Sequence, residues 1–521
     1  MEGTEKQRLQ LWGFGAGVVL VSLLATWVGL SGSWVGDDWH MVNNYLYGDW
    51  AELGAVFKRN AAYYLFTDDK VGPYRPATML TLLATHLLVP EPWLHHLVSW
   101  LLHAATALLL FAVLRQPNHE APTQTTDAVA GVLAALFFLH PVHVESYVWI
   151  NGRSDLLGGF WLVALAFVLA KARDSSSSGV GPTLVVGLAA FLGASSKLPF
   201  AIAAGAVWLA WSVRERLGAR RVYGVAIALG VGAHLILRMV FAPFRGQLGT
   251  SDNILLDTGV WVSLPKLVGK GMEALLTFRS ESMQSLSWVL FGPWSFGDWA
   301  GLAVTVFALL FLARRRNWPG LIYLVGALLT LAPVVVISRS FWMGFDRYLY
   351  MPSVLVLLAV APYVARAVSR RPGRRTAFGA LGVIALLVAS FLTHAASSAY
   401  ASQEAYDRAL LIEHPDDPTI HYYFARAADR SGDEARLRER LSAMPPPPWP
   451  RPIIVPTYEL AAKASDTLRT RQAIDALVAS KDDGVSCSEI RHQLETWRGR
   501  APDPSIADAL TTALDDLSCT P

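Results

Sequence analysis

The sequence predicts an all-α polytopic membrane protein with about eleven transmembrane helices, followed by a small α-helical soluble domain. Three observations predict it. Of 521 residues, 53% are apolar and 16% charged, with 19 tryptophans, a balance that a single soluble domain does not carry. Apolar runs of about 16 to 22 residues, each able to cross a bilayer, recur as far as residue 396. From Ser397 onward the composition turns polar.

The runs fall near 12–30, 93–114, 127–141, 155–171, 181–195, 198–213, 222–241, 298–313, 319–338, 346–366 and 376–396. The first follows Lys6 and Arg8 and is long enough to span, so it reads as a helix and not as a cleavable signal. Eleven spans put the termini on opposite sides. Basic residues collect in alternate connections: Arg115; Lys171 and Arg173; Arg214, Arg216, Arg220 and Arg221; Arg314 to Arg316; and Arg366 to Arg375. By the positive-inside rule these ends, with the N-terminus, are cytoplasmic. The opposite connections and everything after about residue 400 then lie outside.

Two apolar stretches are left out of the span count. Ala77–Leu88, stopped by Pro90 and Pro92, reads as an interfacial or re-entrant helix. Leu264–Phe278 carries Lys266, Lys270 and Glu273 at spacings of three to four and reads as an amphipathic helix at the outer interface. The predicted domains are therefore a membrane core at 1–400, a tetratricopeptide-like helical unit at 401–444, a proline-rich linker at 445–454 and a helical domain at 455–521. Six prolines between Pro445 and Pro452 suggest a stiff polyproline II spacer.

Charge and cysteine usage narrow the function. A net charge of +3 is too small to argue for nucleic acid, and topology explains where the cations cluster. The two cysteines, Cys487 and Cys519, both fall in the C-terminal part, which excludes a cysteine metal site or thiol nucleophile in the membrane. In an oxidising compartment they are expected to bridge.

The residues that suggest chemistry sit at the outer helix ends. Gly36-Asp37-Asp38 opens the first outer loop, and paired acids at a helix mouth are costly unless they serve something. Pro73-Tyr74-Arg75-Pro76 closes that loop. The second outer loop holds His140, His143 and Glu145, which fit a divalent-metal site and equally fit a hydrogen-bonded cap on two helix ends. Asn151-Gly152-Arg153-Ser154-Asp155 follows, with Asp155 placed to cap a helix. Lys197 occupies a tight turn, where it either snorkels to the interface or faces an anionic headgroup. Arg347 begins a later span, either as a helix terminus among interfacial tyrosines or as a guanidinium gripping a phosphate. Paired acids with separate fixed cations suit transfer of a sugar from a polyprenyl phosphate. A carboxylate draws the proton from a hydroxyl, and cations receive the departing phosphate.

Gly36-Asp37-Asp38, Tyr74-Arg75-Pro76, His95-His96 running to His103, His140 to Glu145, Gly152 to Leu156, Ser196-Lys197 and Arg347 to Ser353 occur in this order. The ordered set, across residues 12–400, resembles the transmembrane and tetratricopeptide-repeat-containing O-mannosyltransferases and their bacterial relatives, of the C-type glycosyltransferase fold. That family places an acid directly after the lysine of the tight turn, whereas Leu198 follows Lys197 here. Its long repeat array is reduced here to the single unit at 401–441. The resemblance implies an eleven-span core in a bacterial inner membrane, with the site and C-terminal domain periplasmic.

The expected function is inverting transfer of a hexose, mannose first, from a polyprenyl-phosphate donor to a hydroxyl of a polypeptide or glycan, with no cofactor or metal and no nucleic-acid partner. The catalytic residues are Asp37 as base and Asp38 as its orienting neighbour. Arg347 and Lys197 take the donor phosphate; Arg75, His143, Glu145, Arg153 and Asp155 line the cavity. Two other classes compete, a lipid-linked-saccharide transporter and a catalytically inactive envelope-assembly scaffold.

Overall fold

A computed structural model describes residues 2–36, 38, 54, 56–57, 74–116, 123–172, 179–214, 221–241, 258–280, 293–337, 345–413, 415–447, 449, 451–480, 487–501 and 504–517. Every regular element among them is helical. The chain forms two compact units, Met1–Tyr406 and Asp407–Pro521.

The first unit runs α1 (Glu2–Leu30), α2 (Pro76–Leu88), α3 (Pro92–Leu114), α4 (Thr123–Phe138), a short α5 (Val144–Tyr147), α6 (Arg153–Ala172), α7 (Val180–Ser196), α8 (Phe200–Arg214) and α9 (Arg221–Phe241). It continues with α10 (Thr258–Thr277), α11 (Phe296–Arg314), α12 (Trp318–Ile337), α13 (Tyr350–Ser369) and α14 (Pro372–Ser398). Each of the eleven predicted runs is thus a helix. Among the described residues seven helices are long and apolar enough to cross a membrane: α1, α3, α6, α9, α11, α13 and α14. An eighth span results if α4 is joined to the 141–147 segment, which bends from it by 50°. The remaining predicted spans, α7, α8 and α12, are shorter apolar helices, as is α2.

Helix α6 is the axis of this unit. Together with the turn before it, its candidate span is 61% buried, against 17% for that of α14, and it packs against α3, α7, α8 and α13. Small residues permit the closest approach. A Cβ on Gly159 would run into the ring of Tyr350 at the start of α13, so only glycine lets these two helices meet there.

Two expectations change. The stretch Pro141–Gly152, expected as an outer loop, folds into 3-10 and α turns and is buried almost throughout. Val142, Val144, Val148 and Ile150 are each fully buried, so burial of apolar area overrides the polar look of the segment. In α10 the polar stripe faces inward. Lys266 and Lys270 are 3% and 7% exposed, and the helix packs closely on α11 at Gly269 and Gly301. Periodicity reports two faces without saying which one the protein covers.

The second unit holds the end of α15 (Gln403–Glu413), then α16 (Pro418–Ser431), α17 (Glu434–Ala443), α18 (Arg451–Lys463), α19 (Thr467–Ala479), α20 (Cys487–Arg498) and α21 (Pro504–Asp516). Asp433 and Asp466 cap α17 and α19 by accepting from Arg436 N and Arg469 N, both at 3.0 Å. One apolar core runs from Tyr422 and Leu441 through Trp449 to Tyr458, Trp497 and Leu510, and the Tyr458 and Trp497 rings stack at 3.9 Å. Within the proline stretch, Trp449 belongs to that core. Trp449 donates to Pro445 O at 2.8 Å, and Arg469 donates to Pro445 O and Ser442 O at 3.3 and 2.9 Å. Cys487 is disulfide-bonded; Cys519 lies outside the described residues.

Candidate functional site

Arg75, Glu145, Asp155, Lys197 and Arg347 gather at one end of the first unit, where α6 and α13 begin and α7 turns into α8. Asp155 lies in the first turn of α6, where the helix dipole favours a carboxylate. Lys197 follows the last turn of α7 in an extended conformation, and the chain turns through Leu198 and Pro199 into α8. Its Nζ bonds Asp155 Oδ1 and lies 4.3 Å from the centre of the Tyr348 ring. Burial pushes the Lys197 ammonium down to about 8, with the Asp155 carboxylate opposing that shift. Lys197 thus takes its carboxylate partner from across space, not from the adjacent Leu198.

Ser154 extends this pair. Its hydroxyl donates to Asp155 Oδ2 at 3.3 Å and accepts from Arg75 Nη1 at 3.1 Å. Arg75 stands at the start of α2, and α2 is held to the Lys197 turn by Thr78, which donates to Ser196 O at 3.2 Å. Tyr74, just before, donates to Phe57 O at 2.9 Å, and burial pushes its phenol up to about 12.

Arg347 forms the second ion pair. Its backbone N donates to Glu145 Oε2 at 3.0 Å, and its Nε lies 3.6 Å from Glu145 Oε1. The guanidinium sits 4.5 Å over the Trp149 ring and donates to the Tyr348 hydroxyl at 3.3 Å. Glu145 is close enough to Asp155 and Lys197, and Lys197 to Arg75 and Arg347, for their charges to act on one another. Two carboxylates and three cations from five separate segments therefore share one buried region. Tyr348, expected in an interfacial belt, is 8% exposed and stands between both cations.

Three predicted residues take scaffold positions. Asp38 is fully buried; its carboxylate accepts from Val35 N at 3.3 Å and Asn151 N at 3.1 Å. Gly36, at φ +56°, makes the turn that brings Asp38 back onto Val35. Arg153, expected to line the cavity, is tied into the protein interior. It is fully buried and donates to Ser99 Oγ, Thr81 O, Thr85 Oγ1 and His95 O, which locks α2 and α3 onto α6. His143 is likewise internal, with Nδ1 at 2.7 Å from Phe137 O and Nε2 at 2.9 Å from Ser353 Oγ. Asp37 lies outside the described residues.

His140 contacts Leu275 O through Nε2 at 3.1 Å and accepts from Val142 N through Nδ1. With His143 on a carbonyl and Glu145 on Arg347, the histidine-rich segment has the hydrogen-bonded arrangement. Among the described residues no three His, Cys, Asp or Glu side chains are grouped to hold a metal ion. Sequence reasoning missed Ser154, Trp149 and the burial of Tyr348; the only signal was their position beside the charged residues.

Comparison with known proteins gives short, distant matches. Over 121 residues the chain is 32% identical to protein O-mannosyl-transferase Tmtc3 of Drosophila melanogaster, covering 20% of this chain and 13% of the fly protein. It is 32% identical over 136 residues to human protein O-mannosyl-transferase TMTC4, covering 24% of this chain and 18% of that protein. Human TMTC3 matches at 30% over 107 residues, 20% of this chain and 11% of that one. The chain therefore matches less than a fifth of each relative's length. No family model matches the chain, and no solved structure does. The resemblance to O-mannosyltransferases drawn from ordered motifs thus has sequence similarity behind it over about a fifth of the chain.

Proposed function

We propose that the chain is an inverting membrane glycosyltransferase that moves a hexose, mannose first, from a polyprenyl phosphate to a hydroxyl acceptor on the outer side of the membrane. The observation that carries the reading is the pairing of Lys197 with Asp155 and Arg347 with Glu145 in one buried region, with Arg75 joined through Ser154. Similarity to proteins named O-mannosyl-transferases supports the reaction class, and the apolar helices suit a lipid donor.

In this reading Asp37 takes the proton of the acceptor hydroxyl, and the oxygen attacks the anomeric carbon from the face opposite the phosphate. The bond from that carbon to the phosphate oxygen breaks, and polyprenyl phosphate leaves as an anion beside Arg347, Lys197 and Arg75. Asp38 holds the Val35–Asp38 turn and so the aim of its neighbour. Carboxylates beside the cations keep those side chains fixed before the phosphate arrives, which is preorganisation. The same reading takes α7, α8, α12 and the α4 segment as spans, giving eleven, with the basic ends in the cytoplasm of a bacterial cell. It takes α15–α17 as a tetratricopeptide-like unit near a polypeptide acceptor.

The test is turnover by purified protein with a radiolabelled polyprenyl-phosphate hexose and a Ser/Thr-rich peptide. A product labelled on the peptide and released polyprenyl phosphate are expected together. Folded protein that binds the donor and forms no product with peptide or glycan acceptors refutes the reading.

A further inference from the structure

Helices α2 and α3 form a hairpin through Pro90-Glu91-Pro92 that brings two histidines together. His86 stands in the last turn of α2 and His95 near the start of α3, with ring centres 5.9 Å apart. His95 is fully buried and His86 half-buried. Among the described residues, neither ring nitrogen of His95 has a hydrogen-bond partner, and nor has Nδ1 of His86. A neutral imidazole carries one donor and one acceptor, and buried polar atoms are nearly always matched. The interior histidines His103, His140 and His143 follow that rule, each bonding through both nitrogens. The hairpin pair departs from it.

The spacing of the rings suits a shared metal ion. With a Zn–N bond of about 2.0–2.1 Å, the ion lies roughly 3.2 Å from each ring centre, so two imidazoles at a tetrahedral angle have centres about 5.2 Å apart. The observed separation is wider by less than an ångström, which a small closure of the hairpin supplies. His95 is held for that role, because its carbonyl accepts from Arg153 Nη2 at 2.7 Å and its ring meets Trp34 edge-on at 5.1 Å. Trp34 packs with buried Leu82 and Leu83, an apolar shell that limits solvent around the ligands. The Arg153 charge reaches the His95 ring, which disfavours an ion held by charge alone, such as Mg²⁺, and leaves one that bonds neutral imidazole.

We propose that His86 and His95 together bind one Zn²⁺ ion, which fastens α2 to α3 and keeps its remaining coordination positions for water on the half-buried His86 side. Two protein ligands, not three, hold it. His96, the next residue, lies against the backbone of Gly32, Ser33 and Val148 and is not a ligand. The site is independent of the transferase reading, since neither histidine takes part in the proposed chemistry.

Equilibrium dialysis of the full chain against Zn²⁺ tests it, with untagged protein in detergent first stripped by a chelator. One ion per chain is expected, and Zn²⁺ should raise the melting temperature, because it binds the folded hairpin. His86→Gln and His95→Gln should each weaken binding at least about tenfold, since losing a ligand costs no less than the roughly 10- to 100-fold of losing an outer-shell partner. His492→Gln, at an exposed histidine of the second unit, should change nothing. His86 is half-buried, so its substitution keeps the test valid if His95→Gln fails to fold. Absence of Zn²⁺ uptake, equal binding by wild type and His86→Gln, weaker binding in His492→Gln, or equal uptake of Mg²⁺ would each overturn the proposal.

Discussion

Asp155→Asn removes the charge bonded to Lys197 while keeping the size of the side chain. Lys197 is 4% exposed and Asp155 2%, so water does not replace the lost carboxylate. Breaking one partner of such a buried pair costs about 3–5 kcal/mol, whereas replacing both partners by apolar residues is often neutral. The Tyr348 face remains 4.3 Å from Nζ, but a cation–π contact worth about 2 kcal/mol is present before and after and offsets nothing. At about 2 °C per kcal/mol the single variant should lose roughly 6–10 °C in thermal denaturation of the detergent-solubilised protein, followed by size-exclusion chromatography. Asp155→Leu with Lys197→Met should regain most of that temperature and, under the proposed reading, still transfer no sugar, because the ammonium proposed to receive the phosphate is gone. Unchanged melting in Asp155→Asn would refute the buried-pair argument, and recovery of turnover in the double variant would refute the role of Lys197 in donor binding.

Three further outcomes follow from the geometry. Asp37→Asn should lower turnover by about 100- to 10,000-fold with donor affinity unchanged, whereas Asp38→Asn should chiefly lower melting temperature, since its carboxylate accepts from Val35 and Asn151 amides; paired turnover and melting measurements separate the two, and full turnover in Asp37→Asn ends the assignment. With the Lys197 ammonium pushed down to about 8, the cation is present below that pH and lost above it. Turnover should therefore fall as pH rises through about 8, and Lys197→Arg, which stays charged, should flatten that limb of the profile if it supports any turnover. Gly159→Val should abolish the α6–α13 approach at Tyr350 and appear as loss of monodisperse protein, while normal yield and melting would show that the helices can part there without consequence.

The helices were legible because burial in a membrane and burial in a protein demand the same thing of the sequence, an apolar run of sufficient length. Each run from 12–30 to 376–396 coincides with a helix. The charged candidates were legible because ionised groups at helix ends among apolar runs are costly. What the sequence withheld was the side each polar face turns to and the partner each charge takes. Lys266 and Lys270 read as part of an amphipathic helix at the outer interface and are buried. Pro141–Gly152 reads as a loop and is packed, and the proline stretch at 445–452 reads as a spacer and is stitched to Arg469.

Partner choice is the deeper difficulty, because it is decided by the tertiary fold. Lys197 and Asp155 are 42 residues apart, and Arg347 and Glu145 are 202 apart. No local pattern encodes such a pairing; it exists because α6 is central and the starts of α6 and α13 meet at Gly159 and Tyr350. A lysine fixed at the end of α7 needs a carboxylate within bonding distance, and the first turn of α6 offers one whether or not residue 198 is acidic. Placing an acid at 198 should therefore fail to compensate for loss of Asp155, since the peptide after Lys197 leads into the α8 turn, while a charge at position 155 arrives from a helix held between α3, α7, α8 and α13.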